Sequence, residues 1–218
     1  MSDFLKLFWQ KRLETCGKAL INNNFDLFIA EDAKDARNIF FAQIFPDLNV
    51  KTVSWGDSLS FIQTGILDEL RRNSSISVIE TFAKDISRAE IIERRRQALL
   101  VDLFFSGSNA VTENGQLVNL DMVGNRVGAI TFGPKHVVLF IGRNKIVTDL
   151  DQARERIKSI AAPANAIRHT GFKTPCIKTA HCFDCSSPDR ICNTWVITEK
   201  SFPKGRVKIV LINKDVGL

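Results

Sequence analysis

The fold of this chain is predicted from residues 105–146, which read FFSGSNAVTENGQLVNLDMVGNRVGAITFGPKHVVLFIGRNKI. Three short apolar runs, QLVNL, VGAITF and HVVLFI, have the length and β-branched content of strands. The segments between them, SGSNAVTENG, DMVGNR and GPK, have the composition of turns. Because glycine allows positive φ and a close approach of a ligand to the backbone, such turns can carry a binding site. We expect this stretch to line a ligand site; the alternative is a strand meander with polar tips.

Upstream of this stretch, apolar strands and amphipathic helices alternate. The segments FDLFIA, KTVSW and SISVIETF predict strands, and positions 76–82 resemble a central strand. Helices are expected over residues 3–24, with one apolar face to bury, and over 33–45, 57–65 and 87–104, the last with a capping box of Ser87 and Glu90. Strands too apolar to face water predict an α/β fold with a mainly parallel central sheet and helices on both faces.

Downstream, a helix over residues 149–162 is expected to end at Pro163, and NTWVITEK and RVKIVLIN predict two further strands. A chain of 218 residues can form one substantial domain, so a single domain over residues 1–218 is predicted. Its core is expected at about residues 25–162. A cysteine-containing segment at 163–193 and C-terminal strands at 194–218 are expected to form a strand-rich segment packed on that core.

Composition narrows the partners that the protein can have. The formal net charge of +6 and the pI of about 9.2 favour anionic partners, such as a small anionic metabolite. No RNA-recognition, zinc-finger or helix-turn-helix signature is present, so no nucleic acid is expected. No window reaches the ~18 apolar residues that span a bilayer, and no signal peptide is recognisable, which predicts a cytoplasmic protein without a membrane span. The sequence leaves the oligomeric state open, a homo-oligomer included.

Four of the five cysteines follow the spacing Cys176-x5-Cys182-x2-Cys185-x6-Cys192. In the cytoplasm, cysteines act more often as thiols, metal ligands or redox groups than as structural disulfides. Four thiolates can bind zinc at a tetrahedral site or hold an iron–sulfur cluster, so these residues are candidate metal ligands. The spacing matches neither a zinc ribbon nor a ferredoxin run. A redox-active pair and plain packed thiols are the alternatives.

Polar and basic side chains crowd into the turns at the predicted strand ends. Backbone N–H groups and small hydroxyls can cradle phosphate or carboxylate, arginine forms forked hydrogen bonds to either, and lysine offers a point charge. Each such residue alone is more often a solvated turn or surface charge. The candidate ligand-binding residues are Ser106, Gly107, Ser108, Asn109, Asn114, Gly115, Asn125, Arg126, Arg143, Asn144, Lys145 and Arg168.

Several motifs in one order resemble the lactate-utilisation (LUD) domain family. They are S-G-S-N-A-V-T-E-N-G-x-L-V-N-x-D-x-x-G-N-R-V, then F-G-P-K, G-x-N-K-I-V, A-A-P-A-N-A-x-R at 161–168, and the tail T-P-C…C-x-D-C-x-S-P-D-R-I-C-N at 174–193. The matches run from about Phe105 to the C-terminus, and the first hundred residues match only in the order of their elements. His181 departs from the family pattern, which favours glycine there.

The resemblance implies a fold like that of the sugar-phosphate isomerase and CoA-transferase superfamily, with a ligand cleft at the strand ends. In CoA-transferases of that superfamily, a turn similar to Thr112-Glu113-Asn114-Gly115 presents the glutamate that attacks the acyl-CoA carbonyl. By this resemblance Glu113 is the candidate catalytic residue, as nucleophile or general base, with Asn114 as a candidate oxyanion donor. Asn-Gly is equally a favourable hairpin turn, and this chain lacks the partner domain of CoA-transferases.

The family also implies a link to organic-acid metabolism, lactate oxidation in particular, and iron–sulfur partner proteins. Three hypotheses follow from this resemblance and from the residues. The protein binds a small anionic metabolite and is a CoA-transferase-like or isomerase-like enzyme that uses Glu113, or it is a non-catalytic subunit or assembly factor that binds a partner, or it is an accessory protein that responds to metal or oxidant through its cysteines.

Overall fold

A computed structural model of the chain describes residues 3–218. Its strands belong to two sheets, one large and parallel and one small and mixed. The strands are β1 (Asp26–Ala30), β2 (Thr52–Trp55), β3 (Ser77–Val78), β4 (Leu103–Ser106), β5 (Ala110–Thr112), β6 (Leu117–Asp121), β7 (His136–Gly142), β8 (Ile146–Val147), β9 (Thr194–Thr198) and β10 (Val207–Ile212).

Helices connect the strands and cover the large sheet. They are α1 (Asp3–Asn22), α2 (Ala33–Ile39), α3 (Leu59–Ile62), α4 (Ile66–Arg72), α5 (Arg88–Gln97), α6 (Asn125–Thr131), α7 (Leu150–Arg156), α8 (Ala162–Arg168) and α9 (Cys176–Thr179). Turns of π-helix extend α2 through residues 40–44 and α7 through residues 157–161.

The large sheet is parallel throughout. In the described residues it has six strands, in the order β1-β10-β7-β4-β2-β3, and each neighbouring pair runs parallel. Side chains of β7 alternate between two core clusters, Val138 and Phe140 on one face and Leu139 and Ile141 on the other. A parallel sheet buried on both faces needs such a double core. The predicted α/β fold with a mainly parallel central sheet is therefore confirmed.

The small sheet has the order β8-β5-β6-β9. A hairpin joins the antiparallel strands β5 and β6, and β9 adds antiparallel to β6. The two C-terminal strands therefore belong to different sheets, since β10 lies between β1 and β7 of the large one. The core extends beyond the predicted limits of about residues 25–162, because β10 is a member of the central sheet.

The strand predicted at VGAITF was wrong, because these residues belong to α6. The helix begins after Gly124, which has a φ of 92°. Its burial follows a helical period, with Val127 and Ile130 inward, and a short, mostly apolar run can fit either element. Asp121 accepts hydrogen bonds from the N–H groups of Arg126 and Val127, and these bonds favour a helix over a strand here.

Two further predictions in the first half of the large sheet were wrong. The helix predicted over 87–104 ends at Gln97 with a 3-10 turn over residues 98–100, and its last residues instead form the central strand β4. Asp102 holds this strand in place by accepting hydrogen bonds from the N–H groups of Lys51 and Thr52, each 3.0 Å long. The segment predicted as a central strand at 76–82 contributes only the short edge strand β3.

Two helix predictions also needed correction. Pro163 does not end the helix that starts after Asp149, because a π-helical turn precedes it and proline is accommodated in the first turn of α8. The apolar face expected along residues 3–24 is buried only in its second half, around Leu13, Cys16 and Leu20. Phe4 remains 72% exposed and Phe8 47% exposed.

Candidate functional site

A cavity of about 310 Å³ lies where the carboxyl ends of β2 and β4 meet the end of β6. Open α/β sheets bind their ligands at this edge. The cavity is lined by Asp57, Ser58, Leu59, Phe82, Arg95, Ser106, Gly107, Ser108, Asn109, Leu120, Asp121, Met122, Val123, Asn125, Arg126, Lys145, Ala161, Asn165, Arg168, His169, Phe172, Ile191 and Leu218. The lining draws on both sheets, on α8 and on the loop before α6, so the tertiary fold assembles it.

Ser106, the last residue of β4, brings an unbonded hydroxyl to the cavity. Its side chain is fully buried, and its Oγ has no hydrogen-bond partner within residues 3–218. The absence of a side chain at Gly56 makes room for it, since a Cβ there would lie 3.0 Å from Ser106 Oγ and 2.8 Å from Arg126 Cγ. A buried hydroxyl without a partner is unfavourable, so Ser106 has hydrogen-bonding capacity that the described residues leave unused.

Asp121 fixes the loop that carries Arg126. Its Oδ1 accepts a 2.8 Å hydrogen bond from the Met122 N–H. Its Oδ2 accepts 3.1 Å bonds from the N–H groups of Arg126 and Val127. These bonds satisfy free donors in the first turn of α6, and they explain why the helix starts here. The carboxylate is used mainly by the backbone, and its Oδ2 lies 4.0 Å from Arg126 Nε.

The guanidinium group of Arg126 is buried among neutral oxygens. It donates to Asn119 Oδ1 at 2.7 Å and to Asn109 Oδ1 at 2.9 Å. It also donates to the carbonyls of Leu120, at 2.9 Å, and Gly107, at 3.4 Å. Burial lowers the pKa of Arg126, which stays charged because an arginine pKa lies far above neutrality. Arg126 therefore contributes positive charge to the cavity without a closely hydrogen-bonded carboxylate.

Lys145 is the lysine of the cavity lining, and it is 5% exposed in the 3-10 turn that follows β7. Its Nζ lies 2.9 Å from Ser60 Oγ, and no carboxylate pairs with it in the described part of the chain. Burial, followed by the positive charges of Arg156 and Arg126, lowers the pKa of Lys145 to about 7. An amine and an ammonium are therefore both populated near neutral pH.

Asp57 and α8 form the opposite wall. The Asp57 carboxylate pairs with Arg168, and its Oδ2 lies 2.9 Å from His169 Nε2. Arg168 also donates to Asn165 Oδ1 at 2.7 Å. The next residue, Ser58, caps α3 by accepting a hydrogen bond from the Phe61 N–H. Asp57 is thereby free to hold the end of α8 against the cavity.

The charge of the lining is positive on balance. Arg95, whose Nε is buried without a partner among the described atoms, adds a further guanidinium beside Phe82. Burial lowers the pKa of Arg95. Arg95, Arg126, Lys145 and Arg168 share the lining with two side-chain carboxylates, of which Asp57 is shared by Arg168 and His169 and Asp121 by backbone donors.

Most of the predicted ligand-binding residues line this cavity. They are Ser106, Gly107, Ser108, Asn109, Asn125, Arg126, Lys145 and Arg168. Segments 106–109, 125–126 and 145 therefore come together as expected, although a bound ligand at these residues stays a prediction.

The turn at Thr112-Glu113-Asn114-Gly115 lies outside the cavity lining and packs against α1 instead. Glu113 pairs with Arg12 at 2.9 Å, and Asn23 donates to the carbonyls of Asn114 and Gly115 at 2.9 and 3.1 Å. Gly115 has a φ of 77°, and a Cβ there would lie 2.7 Å from the backbone of α1. The catalytic role of Glu113 stays a prediction, and its surroundings are those of a structural contact.

Arg143 and Asn144 also point away from the cavity and bind the C-terminal segment. Arg143 donates to Asp215 at 2.8 Å and lies over the ring of Trp9. Asn144 accepts from the Val216 N–H at 3.3 Å and donates to the Gly217 carbonyl at 3.4 Å. Only Lys145 of the predicted 143–145 loop lines the cavity.

The four clustered cysteines line a second, small cavity of about 20 Å³ with Arg190. All are free thiols. Burial raises the pKa of Cys192, while the Arg190 charge opposes that shift. In residues 3–218, no group of three or more His, Cys, Asp or Glu side chains is arranged to hold a metal ion. Zinc or cluster binding by Cys176, Cys182, Cys185 and Cys192 thus has no support from their placement, and stays a prediction.

Several lining residues were not recognised in the sequence. Asp57 and His169 meet across 112 positions of the chain, and Arg95 reaches the cavity from α5, where it lies between two other arginines. The rule that ligands bind at the carboxyl ends of parallel strands could have singled out Asp57, which follows β2. His169 and Arg95 carry no comparable local signal.

Comparisons with known proteins place the fold in a family. The LUD domain matches residues 13–212. A DUF162 family protein from Deinococcus radiodurans has a similar structure, with a TM-score of 0.52 and 13% sequence identity over 94% of this chain and 98% of that one. The comparison with curated proteins finds no match. Within residues 3–218, no helix has the length and apolar character required to cross a membrane. Because the match spans nearly the whole sequence, the chain belongs to the LUD domain family.

Proposed function

We propose that the protein binds a small anionic metabolite, a carboxylate of organic-acid metabolism, in the cavity at the ends of β2, β4 and β6. The observation that carries this proposal is the combination of the Ser106 hydroxyl with Lys145, since within residues 3–218 the first has no hydrogen-bond partner and the second, a buried basic group, has no carboxylate partner. A carboxylate would complete the hydrogen bond of the first group and neutralise the second. Membership in the LUD family, whose name refers to lactate utilisation, supports an organic acid as the ligand.

The size of the cavity agrees with this ligand class. A volume of about 310 Å³ lies at the lower end of the range of small-molecule sites, roughly 300–1,000 Å³. Phe82, Phe172 and Ile191 give part of the lining an apolar character that suits the carbon skeleton of the acid. The charged groups described above then orient its carboxylate.

Isothermal titration of lactate, acetate and phosphate into the protein at pH 6.5 tests the proposal. At least one carboxylate should bind, and Lys145→Met should weaken its binding at least about tenfold, the effect of one charge-assisted hydrogen bond. Lys208→Met is the control, because the side chain of this lysine is only 11% exposed but lies outside the cavity and pairs with Asp26 at 3.4 Å. Absence of binding, or equal weakening by both variants, would contradict the proposal.

A further inference from the structure

We propose that the Lys145 amine forms an imine with a small carboxylate that also carries an aldehyde or ketone group. This inference rests on the proposed anion binding and names the class of ligand. An ammonium pairs with any carboxylate, whereas an uncharged amine is a nucleophile that needs an electrophilic carbonyl. The surroundings of Lys145 favour the second behaviour.

The hydrogen bonds around Nζ leave the amine able to react. Ser60 Oγ donates its only hydrogen to the Val216 carbonyl at 3.2 Å, so it accepts a hydrogen from Lys145 at 2.9 Å. Ser60 therefore orients the amine without taking its lone pair. Lys145 lines the cavity, whereas Ser60 is not among the residues that line it.

The charges nearest to Lys145 destabilise its protonated form. Arg126 and Arg156 are both cationic; Arg156 is buried, and the side chain of Arg126 is only 11% exposed. Arg156 is held near Lys145 by donating to the carbonyls of Asn144 and Asn109 at 3.0 and 2.6 Å. With burial, these charges place the pKa of Lys145 at about 7, so a large share of the protein carries a neutral amine at physiological pH. Desolvation and a neighbouring cation are the known means of activating a lysine nucleophile.

The rest of the cavity can hold the carboxylate of the same molecule. Ser106 Oγ and Arg95 Nε are polar atoms without partners among the described atoms, and both residues line the cavity with Lys145. A molecule with a carboxylate next to a carbonyl would place one group on these donors and the other at Nζ. Oxo acids of a few carbons have this arrangement and fit the volume of about 310 Å³.

The reaction balances without an oxidant or reductant. The Nζ lone pair attacks the carbonyl carbon, the N–C bond forms, and the carbonyl oxygen takes a proton to give a carbinolamine. Loss of water breaks the C–O bond and leaves a protonated imine, with one proton taken up from solvent overall. The imine is reversible, and its positive charge would lie beside the carboxylate of the ligand.

Reductive trapping tests this inference on the full-length protein. The protein is incubated with pyruvate or glyoxylate and sodium borohydride, and adducts are located by peptide mass spectrometry. We expect one reduced adduct on Lys145, none with lactate, which has a hydroxyl in place of the carbonyl, and an unchanged adduct in Lys208→Met. Lys145→Arg keeps the charge but lacks the amine, and should bind pyruvate without being trapped.

Titration of pyruvate in the same buffer separates the two proposals. If pyruvate binds but leaves no adduct on Lys145, the imine is wrong while anion binding stands. If no carboxylate binds, both proposals fall. Adducts spread evenly over exposed lysines, with none enriched at Lys145, would also overturn the imine. Because the adduct is mapped in the wild-type protein, this result does not depend on the folding of a variant.

Discussion

Two glycine-bearing polar turns, alike in sequence, have different surroundings in the fold. At the end of β4, Ser106-Gly107-Ser108-Asn109 lines a cavity that contains an unbonded hydroxyl and several buried cations. At the tip of the β5–β6 hairpin, Thr112-Glu113-Asn114-Gly115 is bonded to α1 by an ion pair and by backbone contacts. The first turn has a polar group without a hydrogen-bond partner among the described residues, the Ser106 hydroxyl. In the second turn, the polar groups mostly form hydrogen bonds or ion pairs with α1.

This difference separates a candidate binding loop from a structural loop more clearly than composition does. Both turns hold small polar residues and glycine, and both lie at strand ends. Polar groups that the fold leaves without partners are available to a ligand, whereas groups that bond to neighbouring elements mainly support the fold. Substitutions on the two sides should therefore affect ligand binding and stability differently.

The largest expected effect is on stability, at Arg126. Arg126→Met should destabilise the protein by about 3–5 kcal/mol. Four oxygens, two of them backbone carbonyls and two of them side-chain amides, would lose the charged group that donates to them. Urea unfolding measures this loss. The control Arg96→Met replaces an exposed arginine and should change stability by less than about 0.5 kcal/mol. Similar losses of stability in the two variants would show that Arg126 contributes no more to the fold than an exposed arginine does.

A smaller effect, with a characteristic pH dependence, is expected at Lys145. Because burial lowers its pKa from 10.5 to about 7, the unfolded chain binds more protons between these values, and wild-type stability should rise with pH in this window. Lys145→Met removes the buried charge. The substitution should raise the free energy of unfolding by about 2–3 kcal/mol more at pH 6 than at pH 9, because one pKa unit corresponds to 1.36 kcal/mol.

Thermal unfolding at several pH values checks this prediction. The charges that lower the Lys145 pKa are those of Arg156 and Arg126, which do not titrate in this range, so the difference in pH dependence between wild type and Lys145→Met reports on Lys145. Lys208→Met supplies the control, since its ammonium has a carboxylate partner. The same pH dependence in both variants would contradict a neutral Lys145.

At Ser106, stability and binding should respond in opposite ways. Ser106→Ala removes a hydroxyl without a partner, so the free protein should be as stable as the wild type or slightly more stable. Carboxylate binding should weaken by about 1 kcal/mol, or roughly fivefold, because the ligand loses one hydrogen bond. Unfolding and titration of the same preparation measure both quantities. A loss of stability without a loss of affinity would make Ser106 a structural residue.

The smallest effect is expected on the hairpin side. Glu113→Gln weakens a partly exposed ion pair with Arg12 and should reduce stability by less than about 1 kcal/mol. Carboxylate affinity should stay unchanged, because Glu113 does not line the cavity. If this variant loses affinity or an acyl-transfer activity, the hairpin is a functional loop and the comparison fails.

Sequence reasoning recognised the parts of the site that lie close together in the chain. The loop after β4, Arg126 and Lys145 fall within one stretch of glycine-punctuated strands, where strand ends can be predicted from composition. Asp57, Arg95 and His169 reach the cavity only through the packing of distant elements, which no local pattern records. For the same reason the contact of Glu113 with α1 could not be foreseen, since it joins residues 101 positions apart.

The most direct test of the anion site is proton uptake on binding. Acetate or lactate is titrated at pH 8 in two buffers of different ionisation enthalpy. Free Lys145 is then mostly neutral, and a bound carboxylate should raise its pKa, so the wild-type protein should take up a large fraction of one proton. Lys145→Met should lose this uptake. The variant keeps His169, which also lines the cavity. Binding without proton uptake, or equal uptake by the variant, would show that the ligand does not pair with Lys145.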